Sequence, residues 1–211
     1  MKTKPRAVLC VVVAGLAMTG CATPKPLPTD VEQGERAGGA GQSGRSGQSG
    51  NARLAGGGGL FKSIPVGERP AAPDFAGDSV DGGSVRLSDY RGQVVVVNAW
   101  ASTCGPCRVE SPDLDRAQRE LKGRDVQVLG VSMDVSRPNA LAFQRDLALS
   151  YPSLHDPGGK QFLKLPNGLV NPRILPFTLF VDRAGRIAGA VQSTVTEEDV
   201  RSVVTPMLEE G

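Results

Sequence analysis

The sequence predicts an α/β fold: a mixed central β-sheet flanked by helices. Gln93–Trp100 (QVVVVNAW) is an apolar, β-branched run without alternation, as expected of a strand covered on both faces. Beyond it, helical and strand signals alternate, and the C-terminal part holds two strands joined by a tight turn ahead of a capped helix. With 211 residues, 39% of them hydrophobic, the chain is long enough for one core of ordinary size.

The N-terminus reads as an address. Met1–Arg6 carries three positive charges, and Ala7–Met18 is a 12-residue apolar stretch ahead of Thr19-Gly20-Cys21. A spanning helix needs about 20 such residues, so residues 1–20 are expected to be a signal peptide of the lipoprotein type. The small residues before Cys21 resemble a bacterial lipobox, in which Cys21 is lipidated. Ordinary cleavage nearby, with Cys21 a free thiol in a secreted protein, is the alternative. Cys10 leaves with the leader either way.

Residues 21–63 follow as an expected tether. The segment contains Pro24, Pro26 and Pro28, and 11 of the chain's 27 glycines fall between Gly34 and Gly59. Such a composition buries too little surface to offset its chain entropy. The folded domain is expected over residues 64–211.

Within that domain each element has a local cause. Asp81-Gly82-Gly83 is a hairpin-turn signal inside Val80–Leu87. After the strand at Gln93–Trp100, Pro106 and the spacing of Leu114, Ala117 and Leu121 predict a helix from about Gly105 to Lys122, stopped by Gly123. Val126–Val131 is a second buried strand and Asn139–Leu149 a helix. Phe177–Asp182 and Arg186–Gln192 pair across Arg183-Ala184-Gly185. Thr196-Glu197-Glu198-Asp199 is a capping box opening a last helix, which Pro206 is expected to kink or end.

Charge excludes one class of partner. The net charge of +2 divides into +4 over residues 1–59 (7 basic, 3 acidic) and −2 over residues 60–211 (17 basic, 19 acidic). A body near neutrality without a basic run does not resemble a nucleic-acid binder. Losing Lys2, Lys4 and Arg6 with the leader takes the charge from +2 to −1, so any membrane attachment is covalent.

The chemistry sits in Cys104-Gly105-Pro106-Cys107, directly after a buried strand and opening a helix. This spacing brings two sulfurs one turn apart, and the free N–H groups at a helix N-terminus stabilise a thiolate. Cys104, at the tip, is the expected nucleophile and Cys107 the resolving thiol. A zinc site needs four ligands, and His155 is the one histidine available to join the pair. Haem attachment needs His at position 108, where Arg stands. A passive structural bridge is not forbidden by the spacing. Glu110 lies three residues beyond Cys107 on the same helix face; by spacing alone it is a solvated surface residue. His155 reads as a turn residue without an assigned role.

The block LSDYRGQVVVVNAWASTCGPCRVESPDL resembles the active-site block of the TlpA/ResA-type thioredoxin-like thiol-disulfide oxidoreductases. Pro73-Asp74-Phe75, the Ser88–Gly92 turn, Glu110, Pro112, Leu175-Pro176 and Val181–Arg186 also occur in that family's order, and the likeness spans about Ile64 to Gly211. Thr103 departs from it, standing where the family usually carries Trp. The resemblance implies a thioredoxin-like fold with an extra αβ segment between the Cys-x-x-Cys helix and a cis-Pro strand. It implies a catalytic Glu110 that takes a proton from Cys107, and substrate contacts at Leu175, Pro176 and Trp100, with Leu175-Pro176 cis.

The function that follows is an extracytoplasmic, lipid-anchored disulfide reductase without metal or cofactor. It would act as a monomer on exported proteins such as apocytochrome c, in cytochrome c maturation, and draw electrons from a membrane thiol carrier of the CcdA type. Two alternatives stand beside it. A thiol peroxidase of the AhpC/TSA kind needs Thr or Ser three residues before its nucleophile, where this chain has Ala101. A copper chaperone resembling the Sco proteins needs three residues between its cysteines, where this chain has two.

Overall fold

The computed structural model describes residues 50–54 and 59–210. The expected leader, the lipidation site Cys21 and the tether as far as residue 49 lie outside the described residues. In chain order the strands and helices are β1 (Asn51–Arg53), β2 (Leu60–Ser63), β3 (Ala76–Asp78), β4 (Ser84–Arg86), β5 (Val94–Trp100), α1 (Gly105–Glu120), β6 (Val126–Ser132), α2 (Arg137–Asp146), β7 (Ser153–His155), β8 (Phe177–Val181), β9 (Ile187–Val191) and α3 (Glu197–Glu209).

The main sheet runs β1-β2-β9-β8-β5-β6-β7, and β3-β4 form a separate hairpin. β5 pairs parallel with β6 and antiparallel with β8, so the sheet is mixed as expected. Every residue of β5 is buried, which is why its sequence does not alternate. Its side chains still point alternately to the two faces. Val94 and Val96 join a core with Leu114, Val200 and Val204 from α1 and α3. Val95 and Val97 join a second core with Phe75, Phe162 and Phe177. Asn98 shares the parity of Val94 and Val96, and its cross-strand partner on β8 is Thr178.

α1 is capped by Cys104 and is followed by Gly123 at φ 85°, a left-handed position that suits glycine. α3 carries the expected capping box between Thr196 and Asp199. α2 and β7 supply the additional αβ segment. Gly130 is required where β6 passes the central tryptophan, because a β-carbon there would sit 2.2 Å from Ser153 Oγ and 2.8 Å from Trp100 Nε1.

Three boundaries differ from expectation. The sheet starts before Ile64: β2 pairs with β9, and β1 with β2. Phe61 packs edge-on against Phe180, 5.5 Å between centroids, an apolar anchor in an otherwise Gly-rich stretch. The second helix is Arg137–Asp146 rather than Asn139–Leu149, since Pro138 suits a first helical turn and Ala148 adopts φ 50°. Pro206 does not end α3, which runs on to Glu209, with Val203, Val204 and Met207 buried around that turn.

Candidate active site

Cys104 and Cys107 are joined as a disulfide at the N-terminus of α1, with Cα atoms 5.3 Å apart. Cys104 is the N-cap, and its Sγ accepts the Cys107 N–H at 3.2 Å. It is partly exposed, whereas Cys107 is fully buried. The first cysteine is therefore open to solvent and the second faces the core. The loop ahead of Cys104 is tied to the end of β6: Asp134 accepts the Ser102 N–H at 2.9 Å and its hydroxyl at 2.7 Å. Thr103, the departure from the family pattern, is exposed beside the reactive pair.

Behind the disulfide, Val80, Trp100, Cys107, Ala140 and Phe143 form a small apolar cluster against which Cys104 and Leu175 pack. The Leu175-Pro176 peptide is cis, and Ile174 just before it is exposed. Trp100 requires a correction. It is completely buried and stacks on Phe143, centroids 4.5 Å apart. Its ring supports the floor of the site and offers no surface to a substrate. The exposed group over that floor is Arg108, whose guanidinium lies 5.0 Å from the Phe143 ring.

Glu110 is 1% exposed, so it is not the solvated residue that spacing alone predicts. Its Oε1 accepts from Asn98 Nδ2 at 2.8 Å and its Oε2 from the Val195 N–H at 3.1 Å. Both donors are neutral. Burial raises the carboxyl to about 8, opposed by the Asn98 and Val195 hydrogen bonds and aided slightly by Asp113. A carboxyl titrating near 8 can hold or release a proton close to neutral pH.

Asn98, Thr178 and Val195 were not singled out from the sequence. The available signal was Asn98 itself, a lone amide inside an apolar strand covered on both faces, where a polar group needs a partner. His155 lies with its Nε2 2.9 Å from the Asp134 carbonyl oxygen. Among the described residues, no three His, Cys, Asp or Glu side chains gather into a group able to hold a metal ion.

The AhpC/TSA family model matches residues 69–190, spanning the disulfide, Glu110 and the cis-proline. The chain belongs to this family. Two relatives narrow the kind of member. The thiol-disulfide oxidoreductase ResA of Geobacillus thermodenitrificans (strain NG80-2) is 31% identical over 139 residues, 66% of this chain and 76% of the relative. Its namesake in Geobacillus kaustophilus (strain HTA426) is 33% identical over 138 residues, 65% and 75% of the two chains. A secreted thiol-disulfide isomerase from Corynebacterium glutamicum has a similar structure, with TM-score 0.63 and 34% identity over 71% of this chain and 92% of that one. A DsbF homologue from Corynebacterium diphtheriae superposes at TM-score 0.64 with 30% identity, covering 74% and 99%. The protein is a thiol-disulfide oxidoreductase of the ResA type with a thioredoxin-like fold. At the position where a peroxidase would carry a hydroxyl, Ala101 contributes its carbonyl oxygen to the Cys104 N–H at 3.0 Å.

Proposed function

We propose that this oxidoreductase is exported, held at the membrane through a lipidated Cys21, and reduces disulfides in exported proteins. Apocytochrome c is the first candidate substrate and a membrane thiol carrier of the CcdA type the electron donor. The observation that carries the reading is the asymmetry of the pair: Cys104 partly exposed at the helix tip, Cys107 buried, and Glu110 buried on the same helix face. The reductive direction and the export draw their support from the likeness to the ResA proteins and to a secreted isomerase. Among the described residues no helix is long and apolar enough to cross a membrane.

In the reduced enzyme the Cys104 thiolate attacks a substrate disulfide, forming a mixed disulfide and releasing one substrate sulfur as thiolate. Glu110 takes the proton of Cys107. The Cys107 thiolate then attacks Cys104 Sγ, breaking the mixed disulfide and releasing the second substrate thiolate. The substrate gains two electrons and the enzyme pair is left oxidised. The cis-Leu175-Pro176 segment, packed beside Cys104, is the place for an extended substrate backbone to pair.

Cys107→Ser should accumulate mixed disulfides through Cys104, and mass spectrometry of the adducts names the substrate. A trap that forms equally well in Cys104→Ser reverses the roles of the two sulfurs. Detergent-phase partitioning should be lost in Cys21→Ala; retention in the membrane fraction refutes the lipid anchor. A measured reduction potential above that of exported structural disulfides refutes the reductive direction, since 30 mV corresponds to about 1.4 kcal/mol for this couple.

A further inference from the structure

Asn98 faces Glu110 with one end of its amide and nothing with the other. Its Nδ2 donates both to Glu110 Oε1 at 2.8 Å and to Thr178 Oγ1 at 3.1 Å, while its Oδ1 is buried without a hydrogen-bond partner. This arrangement fits a carboxylate, whose two oxygens accept from Asn98 and from the Val195 N–H. It fits a carboxylic acid less well. A proton on Oε1 in the position facing the Asn98 N–H, or on Oε2 in the position facing the Val195 N–H, would set donor against donor.

Turning the amide by 180° about its last bond removes that conflict and moves the unpaired end of the side chain from Oδ1 to Nδ2. Oδ1 then takes the place of Nδ2 and accepts from the Glu110 hydroxyl and the Thr178 hydroxyl together. The reversed amide would in turn place oxygen against oxygen were Glu110 ionised. Each protonation state therefore selects one orientation of the same side chain.

We propose that Asn98 is a positioning residue for Glu110 whose amide reverses, against Thr178, each time the carboxyl gains or loses its proton. Its site is built rather than accidental: Asn98, Thr178 and Glu110 come from β5, β8 and α1, and none is more than 1% exposed. β5, β8 and the loop before α3 present Glu110 with the neutral Asn98 amide, the Thr178 hydroxyl behind it and the Val195 N–H. The titratable groups around it are Cys107 and Asp113 on its own helix and Tyr151 ahead of β7, whose hydroxyl burial keeps protonated. Burial favours the protonated form of Glu110, and the Asn98 and Val195 hydrogen bonds favour the ionised one. The two orientations let Glu110 hold a proton from Cys107 in a dry site and then release it.

The proposal rests on Glu110 exchanging a proton with Cys107, and the test separates the two. In reduced wild-type protein, NMR should follow the Glu110 carboxyl carbon and the cross-peaks from the Asn98 amide protons to the Thr178 methyl across the Glu110 midpoint. The expected result is strong cross-peaks on the high-pH side that fade with the carboxyl's own midpoint, and cross-peaks constant with pH in Glu110→Gln. Cross-peaks unchanged in wild type while Glu110 titrates overturn the proposal. In Asn98→Leu the ionised form loses the stronger hydrogen bond, so the midpoint should rise by roughly half to one unit, about a three- to tenfold change in proton affinity. A folded Asn98→Leu protein with an unmoved midpoint overturns it as well, and if that variant does not fold the wild-type cross-peaks decide. Should the amide reverse while Glu110→Gln exchanges disulfides at the wild-type rate, the assignment of Asn98 holds and the proton step of the proposed mechanism fails.

Discussion

Two of the buried carboxylates, Asp182 and Glu110, sit at different places in this molecule, and their partners set them apart. Asp182, at the end of β8, is 5% exposed and meets cations: Arg69 Nη1 at 3.2 Å and Arg186 Nε at 3.0 Å, with the Arg186 N–H at 2.8 Å. Arg69 also donates to both oxygens of Glu210, at 2.5 and 2.8 Å, so the C-terminal end of α3 is clamped to the segment entering the domain. Glu110 is more deeply buried and meets neutral donors alone among its hydrogen-bond partners. A carboxylate matched by guanidinium groups holds elements together. One matched by an amide and a peptide N–H hovers between two protonation states, which is useful only where a proton must move.

Breaking each site should expose that difference. Asp182→Ala removes the carboxylate that Arg69 and Arg186 share, leaving Arg69 with Glu210 and Arg186 partly exposed, and should lower stability by about 1–3 kcal/mol, measured by denaturant unfolding. The disulfide-exchange rate of the folded fraction should be unchanged. A large loss of rate with intact stability would dissolve the distinction between the two carboxylates.

Glu110→Gln should do the reverse. It should slow exchange by roughly 10²-fold around neutral pH, the scale of a lost proton acceptor, while the oxidised protein stays folded. Because the folded carboxyl is raised to about 8, the protons it retains favour the folded state below the ordinary Glu range, and that contribution is lost as pH rises from about 4.5 to about 8. At about 1.36 kcal/mol per unit the loss is on the order of 5 kcal/mol. Unfolding of the oxidised form, in which the two cysteines do not titrate, should follow this slope in wild type and lose it in Glu110→Gln.

The smallest effect is expected at the rim of the clamp. Arg186 is more than a third exposed in its side chain, so Arg186→Ala should cost less than about 1 kcal/mol by the same unfolding measurement. A cost near that of Asp182→Ala would mean that the clamp is one cooperative unit.

Much of the fold was legible because its causes are local. The unalternating Val94–Trp100 run, Pro106 near the start of α1, Gly123 after it, Gly185 at φ 75° between β8 and β9, and the Thr196–Asp199 capping box each act within a few residues. β1 and β2 were hidden because their strand character comes from β9 and from Phe61 meeting Phe180, not from their own composition. β7, three residues long, has too short a period to read and exists through its pairing with β6.

The redox pair was determined by sequence alone, since two cysteines separated by two residues at a helix N-terminus need no distant partner to come together. The tertiary structure decided what surrounds them. Glu110 meets Asn98 12 residues away and Val195 85 residues away, and Asn98 meets Thr178 80 residues away. Trp100 turns inward because α2 brings Phe143 over it. Burial and hydrogen-bond partners are properties of side chains from separate elements, set by sheet register and helix packing rather than by spacing along the chain. A glutamate that spacing assigns to solvent therefore becomes a buried carboxyl raised to about 8 only once β5, β8 and the loop before α3 close around it.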